Sequence, residues 1–352
     1  MRFLGFDLDI DFMGFKKWAI SASTVVILIG IISLICHGGP KYGIDFSGGT
    51  LLQIKFFKEK VKVDVDRIRK ALNEVNLSES SIQQYGPIEN NEILIRTKQS
   101  STALKSIGDE VKDVLITEFG KDTFEVRRVE MVGPKVGGDL KEKGLLAIIF
   151  ATILVLIYTG WRFEFGYGLG AIAALAHDVT ITVGIFSLTN REISLPVIAA
   201  LLTIIGYSLN DTIVVFDRVR DNLRIMRGEK LEDILNASIN QTLSRTILTS
   251  LTTLFVVLCL YFFGGAVIND FAFALLLGVV VGTYSSIYIA SPAVVIYNKM
   301  FHHSKNERVR AESPAAMGQR KSVGASIGGG GLERIKQSET AQLAGKKGKK
   351  KR

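Results

Sequence analysis

Six apolar runs dominate this chain of 352 residues: Trp18–Ile35, Gly144–Thr159, Gly166–Leu188, Leu195–Phe216, Thr246–Gly264 and Phe271–Ile296. A helix needs ~20 apolar residues to cross the hydrocarbon core of a bilayer, where each peptide group must be bonded within the protein. The six runs meet that length or approach it, and none carries dense charge. Hydrophobic residues make up 47% of the chain, yet its formal charge is +9. Apolar bulk with excess positive charge predicts a polytopic membrane protein whose basic segments stay in the cytoplasm.

The lysines and arginines set the expected orientation. Lys16 and Lys17 precede the first span and place residues 1–17 in the cytoplasm. The connection 217–245, read as a cytoplasmic loop, carries Arg218, Arg220, Arg224, Arg227, Lys230 and Arg245, and the tail ends KKGKKKR. GGAVIND, between the last two spans, has no basic residue, and Arg191 is the one exception to the pattern. An even number of spans returns the C-terminus to the cytoplasm. The first span, 18–35, is longer than the apolar core of a signal peptide, and CHGGPKYG lacks a small-residue cleavage site, so it reads as an uncleaved anchor.

Residues 37–143 are hydrophilic and hold 18 basic against 17 acidic residues, an ordinary solvated balance. TLLQIKFF alternates as a strand does, and VDVDRIRKALNEV puts Val65, Ile68, Leu72 and Val75 on one helix face. SIQQYGPIENNEILIRT gives two strands around a turn, STALKSIGDEVKDVLITEF is helical, and TFEVRRVEMV closes with a strand. The order β-α-β-β-α-β is the ferredoxin-like pattern. The expected fold class is therefore an α-helical polytopic membrane protein with six transmembrane helices (144–296 holding the last five) and one α+β ferredoxin-like periplasmic domain. No catalytic set is visible in that domain, which reads as a binding or gating module and not as an enzyme. The tail, 297–352, is rich in Gly, Ser and charge and is expected to be disordered. Its basic end suits anionic lipid, ribosomal RNA or plain solvent.

Within the spans, the costly residues are the informative ones. Asp211 lies inside LPVIAALLTIIGYSLNDTIVVF, with Tyr207 and Asn210 at helical spacing beside it. A carboxylate there faces a protein interior or a wet cavity and handles protons or ions, unless it only ties helices together. Arg245 opens the fifth span, followed at helical spacing by Thr249, Thr252 and Thr253. Asp178, preceded by His177, sits mid-way along the third span and suits either a relay or a helix contact. The reading is a proton relay of Asp211 and Arg245, with Asp178 in a lesser part and Tyr207, Asn210 and Thr249 supporting the helix face. Burial favours the protonated acid and a nearby guanidinium the ionised one, so an acid that meets and leaves its arginine can carry protons. Gly166, Gly170 and Ala174, and Gly278, Gly282 and Ser286, recur every four residues as close-crossing helices require. Neither GPKVGG nor the GGGG of the tail has a P-loop arrangement, and Cys36 and Cys259 offer no disulfide framework or metal pair. No cofactor and no metal are expected.

Five stretches carry a resemblance: YGIDFSGGT after the first span, VGPKVGGDL before the second, AHDVTITVGIF, IGYSLNDTIVVFDRVRDNLR and SINQTLSRTILTSLTT. In this order, with six spans, they resemble the SecD/SecF family of protein-export membrane proteins in the resistance-nodulation-division superfamily, over residues 15–300. The resemblance implies a heteromer with a SecD-like subunit. It also implies work beside the SecYEG channel on a translocating polypeptide after the SecA ATPase has acted, and use of the proton-motive force at the bacterial inner membrane. It places the family's intramembrane acid on Asp211, within NDT, and its basic partner on Arg245, within LSRT. Membrane lipids are the remaining partner, and no nucleic acid is required. Two other classes stay open: half of a proton-driven efflux or lipid transporter, marked by an apolar substrate pocket, and a static scaffold, which would tolerate neutralising Asp211.

Overall fold

The chain's computed structural model describes residues 9–57, 65–73, 77, 80–85, 90–97 and 104–311. Chain order begins with α1 (Lys16–Cys36), the short α2 (Ile44–Ser47), β1 (Gly49–Phe56), α3 (Val65–Asn73), β2 (Ser81–Tyr85) and β3 (Glu92–Thr97). It continues with α4 (Leu104–Phe119), β4 (Phe124–Val132), α5 (Pro134–Arg162), α6 (Phe165–Leu188), α7 (Leu195–Ile225), α8 (Leu231–Phe263) and α9 (Ala266–Ser285). A π-helical turn, Ser286–Ala290, joins α9 to α10 (Ser291–Ala311). Among the described residues, six helical stretches are long and apolar enough to cross a membrane: α1, α5, α6, α7, α8 and Ile268–Phe301. The chain is a multi-pass membrane protein.

These helices divide into an inner and an outer set. In its most apolar stretch α6 is 56% buried, whereas α5 is 11% and α1 17% buried. Val25, Leu28, Ile32, Phe150, Leu154, Phe255 and Val256 point outward from α1, α5 and α8, as side chains facing lipid do. The inner helices instead approach through small residues. A Cβ added at Gly278 of α9 would lie 2.1 Å from the Ile204 side chain of α7, and one at Gly282 would lie 3.0 Å from Ser208. Gly170 of α6 meets the Ala290 carbonyl in the π-helical turn at 2.8 Å in the same sense. A backbone-to-backbone contact also joins α1 to α6, where a Cβ on Gly30 would stand 2.9 Å from the Cα of Gly184. Ser33 Oγ and Ser187 Oγ hydrogen-bond at 2.8 Å one turn along the same crossing.

The four strands form one antiparallel sheet in the order β2-β3-β1-β4. Leu52 sits opposite Ile95 on one side and Val129 on the other. Leu52, Ile54 and Phe56 alternate towards Ile68 and Leu72 of α3 and Val111 and Leu115 of α4, making a core of their own. Leu51 and Leu94 face the other way and pack with Ile44.

A junction ties this sheet to the membrane helices. Gly48 and Gly49 hold φ of +71° and +121°, conformations open to glycine, and let the chain turn from α2 into β1. A Cβ on Gly48 would press to 2.9 Å from Pro134, and one on Gly137 to 3.0 Å from the Phe46 carbonyl, so α2 lies directly on the start of α5. Asp45 Oδ2 accepts the Leu195 amide at 2.8 Å at the start of α7, and Gly43 N donates to the Ile193 carbonyl at 2.9 Å. Glu192, in the same turn, pairs with Arg96 of β3 and with Lys41 at 3.5 Å. Burial, with the Arg96 charge beside it, holds the Lys41 ammonium below its ordinary range. Arg191, which ran against the charge asymmetry, is paired with Asp270.

At the opposite end, the segment before α1 closes onto α8. Ile10 N donates to Asn240 Oδ1 at 3.0 Å and Asn240 Nδ2 returns a bond to the Ile10 carbonyl at 2.8 Å. Phe12 N donates to Asn236 Oδ1 at 2.8 Å, and Lys16 pairs with Glu232 at 2.8 Å.

Three expectations are revised. The connection 217–245 is not a loop: α7 runs to Ile225 and α8 starts at Leu231, leaving 226–230 as the link. Its buried residues Val219, Asn222, Ile234, Leu235 and Ile239 recur at helical spacing, while Arg220 and Arg224 stay exposed, so length of apolar run underestimates both helices. Residues 134–143, placed with the hydrophilic domain, are the first turns of α5, with Gly133 as N-cap and Pro134 at N1. The segment 297–311, placed in a disordered tail, is helical as part of α10, and 312–352 lie outside the described residues.

Gly30→Val forces a branched side chain against the Gly184 backbone, an overpacking worth about 1–3 kcal/mol. Thermal unfolding in detergent is expected to start several degrees lower than wild type, and an unchanged midpoint would refute the crossing.

Candidate functional site

Two carboxylates are buried among the inner helices, and hydroxyl side chains hold both. Asp211, a little past the middle of α7, is 2% exposed. Ser250 Oγ of α8 donates to its Oδ2 at 3.3 Å, a long bond. Thr283 Oγ1 of α9 stands 2.7 Å from that same Ser250 Oγ. The three residues thus link α7, α8 and α9 in a row. Arg245 lies on α8 five residues before Ser250, exposed, and its charge is felt at Asp211, as is the side chain of Asn210. No ion pair joins Arg245 to Asp211 among the described residues. Asn210 itself is exposed, so the face that it shares with Tyr207 is not the one that buries Asp211. Tyr207 reaches α8, where its hydroxyl donates to the Thr249 carbonyl at 3.3 Å. Thr249 Oγ1 lies 3.0 Å from the Arg245 carbonyl, which fixes the turn bearing the arginine.

Asp178 of α6 is held far more firmly. It is fully buried. Ser208 of α7 donates to its Oδ2 at 2.6 Å and Ser285, the last residue of α9, at 2.8 Å. His177 Nδ1 completes the set at 2.9 Å from Oδ1. Three donors on one carboxylate match the ionised, acceptor-only form and join α6, α7 and α9 at one point. Ser208 precedes Asp211 by three residues, so α7 offers its serine to one acid and its own carboxylate to the other site.

The structure therefore brings Asp211 to Ser250 and Thr283, keeps Arg245 at a distance, and gives Asp178 a separate cluster. Ser208, Ser250, Thr283 and Ser285 were not singled out from sequence. Their one signal is that each is a small hydroxyl residue within a membrane-spanning helix. Among the described residues no three His, Cys, Asp or Glu side chains gather as metal ligands would.

Residues 111–300, which include α5 to α9, match the family described as protein export membrane protein SecD/SecF, C-terminal. Residues 34–56, the junction of α2 and β1, match the SecD/SecF GG motif. The chain belongs to the SecD/SecF family. It is 47% identical over 298 residues to the protein translocase subunit SecF of Desulfurispirillum indicum, covering 83% of this chain and 93% of that one. The SecF subunit of Escherichia coli O157:H7 is 39% identical, with 86% and 92% covered. Among solved structures, SecDF of Thermus thermophilus, described as a translocon-associated membrane protein, superposes with a TM-score of 0.75 at 38% identity. That match covers 83% of this chain but only 39% of the SecDF chain.

Within the matched segment, Gly48 and Gly49 occupy positive φ, and Gly48 lies against Pro134.

Hydrogen bonds to a charged group contribute roughly 1.5–3 kcal/mol. Ser285→Ala and Ser208→Ala are therefore expected to destabilise the detergent-solubilised protein by about that much each, and Ser250→Ala, at a longer distance, by less. Thermal unfolding of the three variants checks the order; a larger loss for Ser250→Ala would contradict it.

Proposed function

We propose that this chain is an accessory membrane subunit of Sec protein export, and that it uses the proton-motive force through Asp211 to promote late steps of translocation. The single observation that carries the proton-handling part is the contrast between the two acids. Asp178 is locked by three donors, whereas Asp211, also buried, has a long bond from Ser250 and no ion pair with the Arg245 guanidinium among the described residues. A loosely held buried acid can gain and lose a proton as its surroundings change. Each charge crossing the full potential supplies about 2.3 kcal/mol per 100 mV.

In this reading Arg245 is the mobile counter-charge. Approach of the guanidinium favours ionised Asp211, and its withdrawal favours the protonated acid. Tyr207 and Thr249 set the α7–α8 spacing over which it travels. The α+β unit is a ferredoxin-like domain on the periplasmic face, where it meets a translocating polypeptide beside the SecYEG channel, and both termini are cytoplasmic, where basic residues meet anionic lipid. The role is transport and not catalysis. Family membership and the charge asymmetry support this assignment.

Transporters of this build place their working site between two repeats. Six spans supply one. The relatives named as SecF subunits are covered to 93% and 92%, which supports assigning the second repeat to a SecD-like subunit. The chain is expected to purify from membranes with such a subunit; full activity of the isolated chain in liposomes would refute this.

Asp211→Asn keeps shape and hydrogen bonding but removes the titratable charge. In inverted vesicles the variant is expected to insert normally, retain ATP-driven initiation and lose stimulation of export by a proton gradient. Arg245→Lys is expected to be impaired as well, since an ammonium does not replace a planar guanidinium. Wild-type gradient dependence in Asp211→Asn would end the relay reading and leave a static scaffold.

A further inference from the structure

Among the described residues, His177 is the one buried titratable side chain of the inner helices that the Asp211 relay does not use and that ends on an unsatisfied atom. We propose that His177 is a second proton-binding residue of the membrane helices, taking its proton at Nε2 while Asp178 orients the ring and couples it to α7 and α9.

The ring is almost wholly enclosed, its side chain 4% exposed. Nδ1 is used, 2.9 Å from Asp178 Oδ1. With Asp178 ionised, the form that its donors Ser208 and Ser285 favour, the carboxylate has no hydrogen of its own and Nδ1 carries the proton of that bond. The neutral ring is thereby fixed in the tautomer that leaves Nε2 as a bare lone pair. Nε2 has no hydrogen-bond partner among the described residues. A buried polar atom without a partner is costly, a cost that an aromatic or aliphatic residue filling the same space would avoid.

The surroundings leave Nε2 as the basic atom. Tyr284 of α9 stacks on the imidazole, ring centroids 6.1 Å apart and planes 22° from parallel. Its hydroxyl is occupied elsewhere, donating to the Ala19 carbonyl at 2.7 Å and accepting from Ser23 at 3.0 Å, both on α1. The π-helical turn brings the phenol of Tyr288 against Tyr284. α5 meets α6 through Thr159 at Gly168, and α7 brings Ser208 and, three residues on, Asp211 with its own partner Ser250. Asp178 is thus the carboxylate bonded to this ring.

Protonation at Nε2 changes the pair from one net negative charge to none. The carboxylate then draws less strongly on its other donors. Ser285 Oγ has a second acceptor within reach, the Gly282 carbonyl at 3.2 Å. Ser285 is the last residue before the π-helical turn Ser286–Ala290, a geometry that recurs where helices do work. One proton on His177 thus alters the bond by which α6 holds the end of α9.

The test uses the complex purified from membranes with 15N-labelled histidine. The chain has four histidines, and His177→Asn, whose amide can still donate to Asp178, identifies the His177 signals by their loss. The expected result is an Nδ1–H tautomer with an unprotonated Nε2 at alkaline pH, and uptake of one proton at Nε2 on acidification from about pH 9 to about pH 5. Asp178→Asn is expected to lose the Nδ1–H tautomer preference, and Ser285→Ala, which keeps the carboxylate, to retain it. A ring that stays neutral throughout, or one carrying its hydrogen on Nε2 when neutral, overturns the proposal. The titration is also expected to persist in Asp211→Asn, which keeps it separate from the relay; its disappearance there would show that His177 is no independent site.

Discussion

The polar interior of this protein depends on how closely α7 and α9 cross. Between helices in lipid there is no hydrophobic gain to be had, so association rests on close packing and on hydrogen bonds between them. Gly278 and Gly282 supply the closeness, with Ile204 and Ser208 filling the space where side chains would stand. One turn further along, that approach puts Ser285 and Ser208 on the same carboxylate oxygen and sets Thr283 beside Ser250. Bulkier residues at the crossing would hold the helices apart, and short hydroxyl side chains could not then span the gap. A few missing methyl groups thus decide whether two acids can be buried at all.

The two acids solve the cost of burial in different ways. Asp178 is satisfied by donors from three helices and serves as a fixed centre. Asp211 has one long bond and a distant positive charge, so its surroundings are incomplete. An acid that is too well solvated by its protein cannot respond to a changing field, and one left wholly unsolvated would be too costly to insert. The pair shows both regimes within one helix bundle, sharing α7 and α9.

The spans were legible because apolar length is a local property of sequence. Asp211, Arg245 and Asp178 stood out for a related reason: charge inside an apolar run is conspicuous wherever the run folds. The helix ends were less legible. From Asp217 to Arg245 the chain is charged, and only the buried positions Val219, Asn222, Ile234 and Ile239 reveal that α7 and α8 continue. The partners of the acids could not be read at all. Ser250 lies 39 residues from Asp211 and Ser285 lies 107 from Asp178, and nothing in a serine's own neighbourhood marks it as a donor to a remote carboxylate. Asn210 is exposed where Asp211 is buried, yet its side chain still acts on the acid next to it in the chain.

The closure of the N-terminal segment onto α8 sets a clock for biogenesis. Ile10 and Asn240 exchange hydrogen bonds across 230 positions of chain. At synthesis rates of 5–20 residues per second, the early segment waits roughly 10–50 s before its partner has even been made. During that interval Phe12 and Met13, buried in the finished protein, have no α8 to cover them. The first span must therefore enter the bilayer and hold its orientation without this contact. The asparagines of α8 act afterwards, sealing a placement already made.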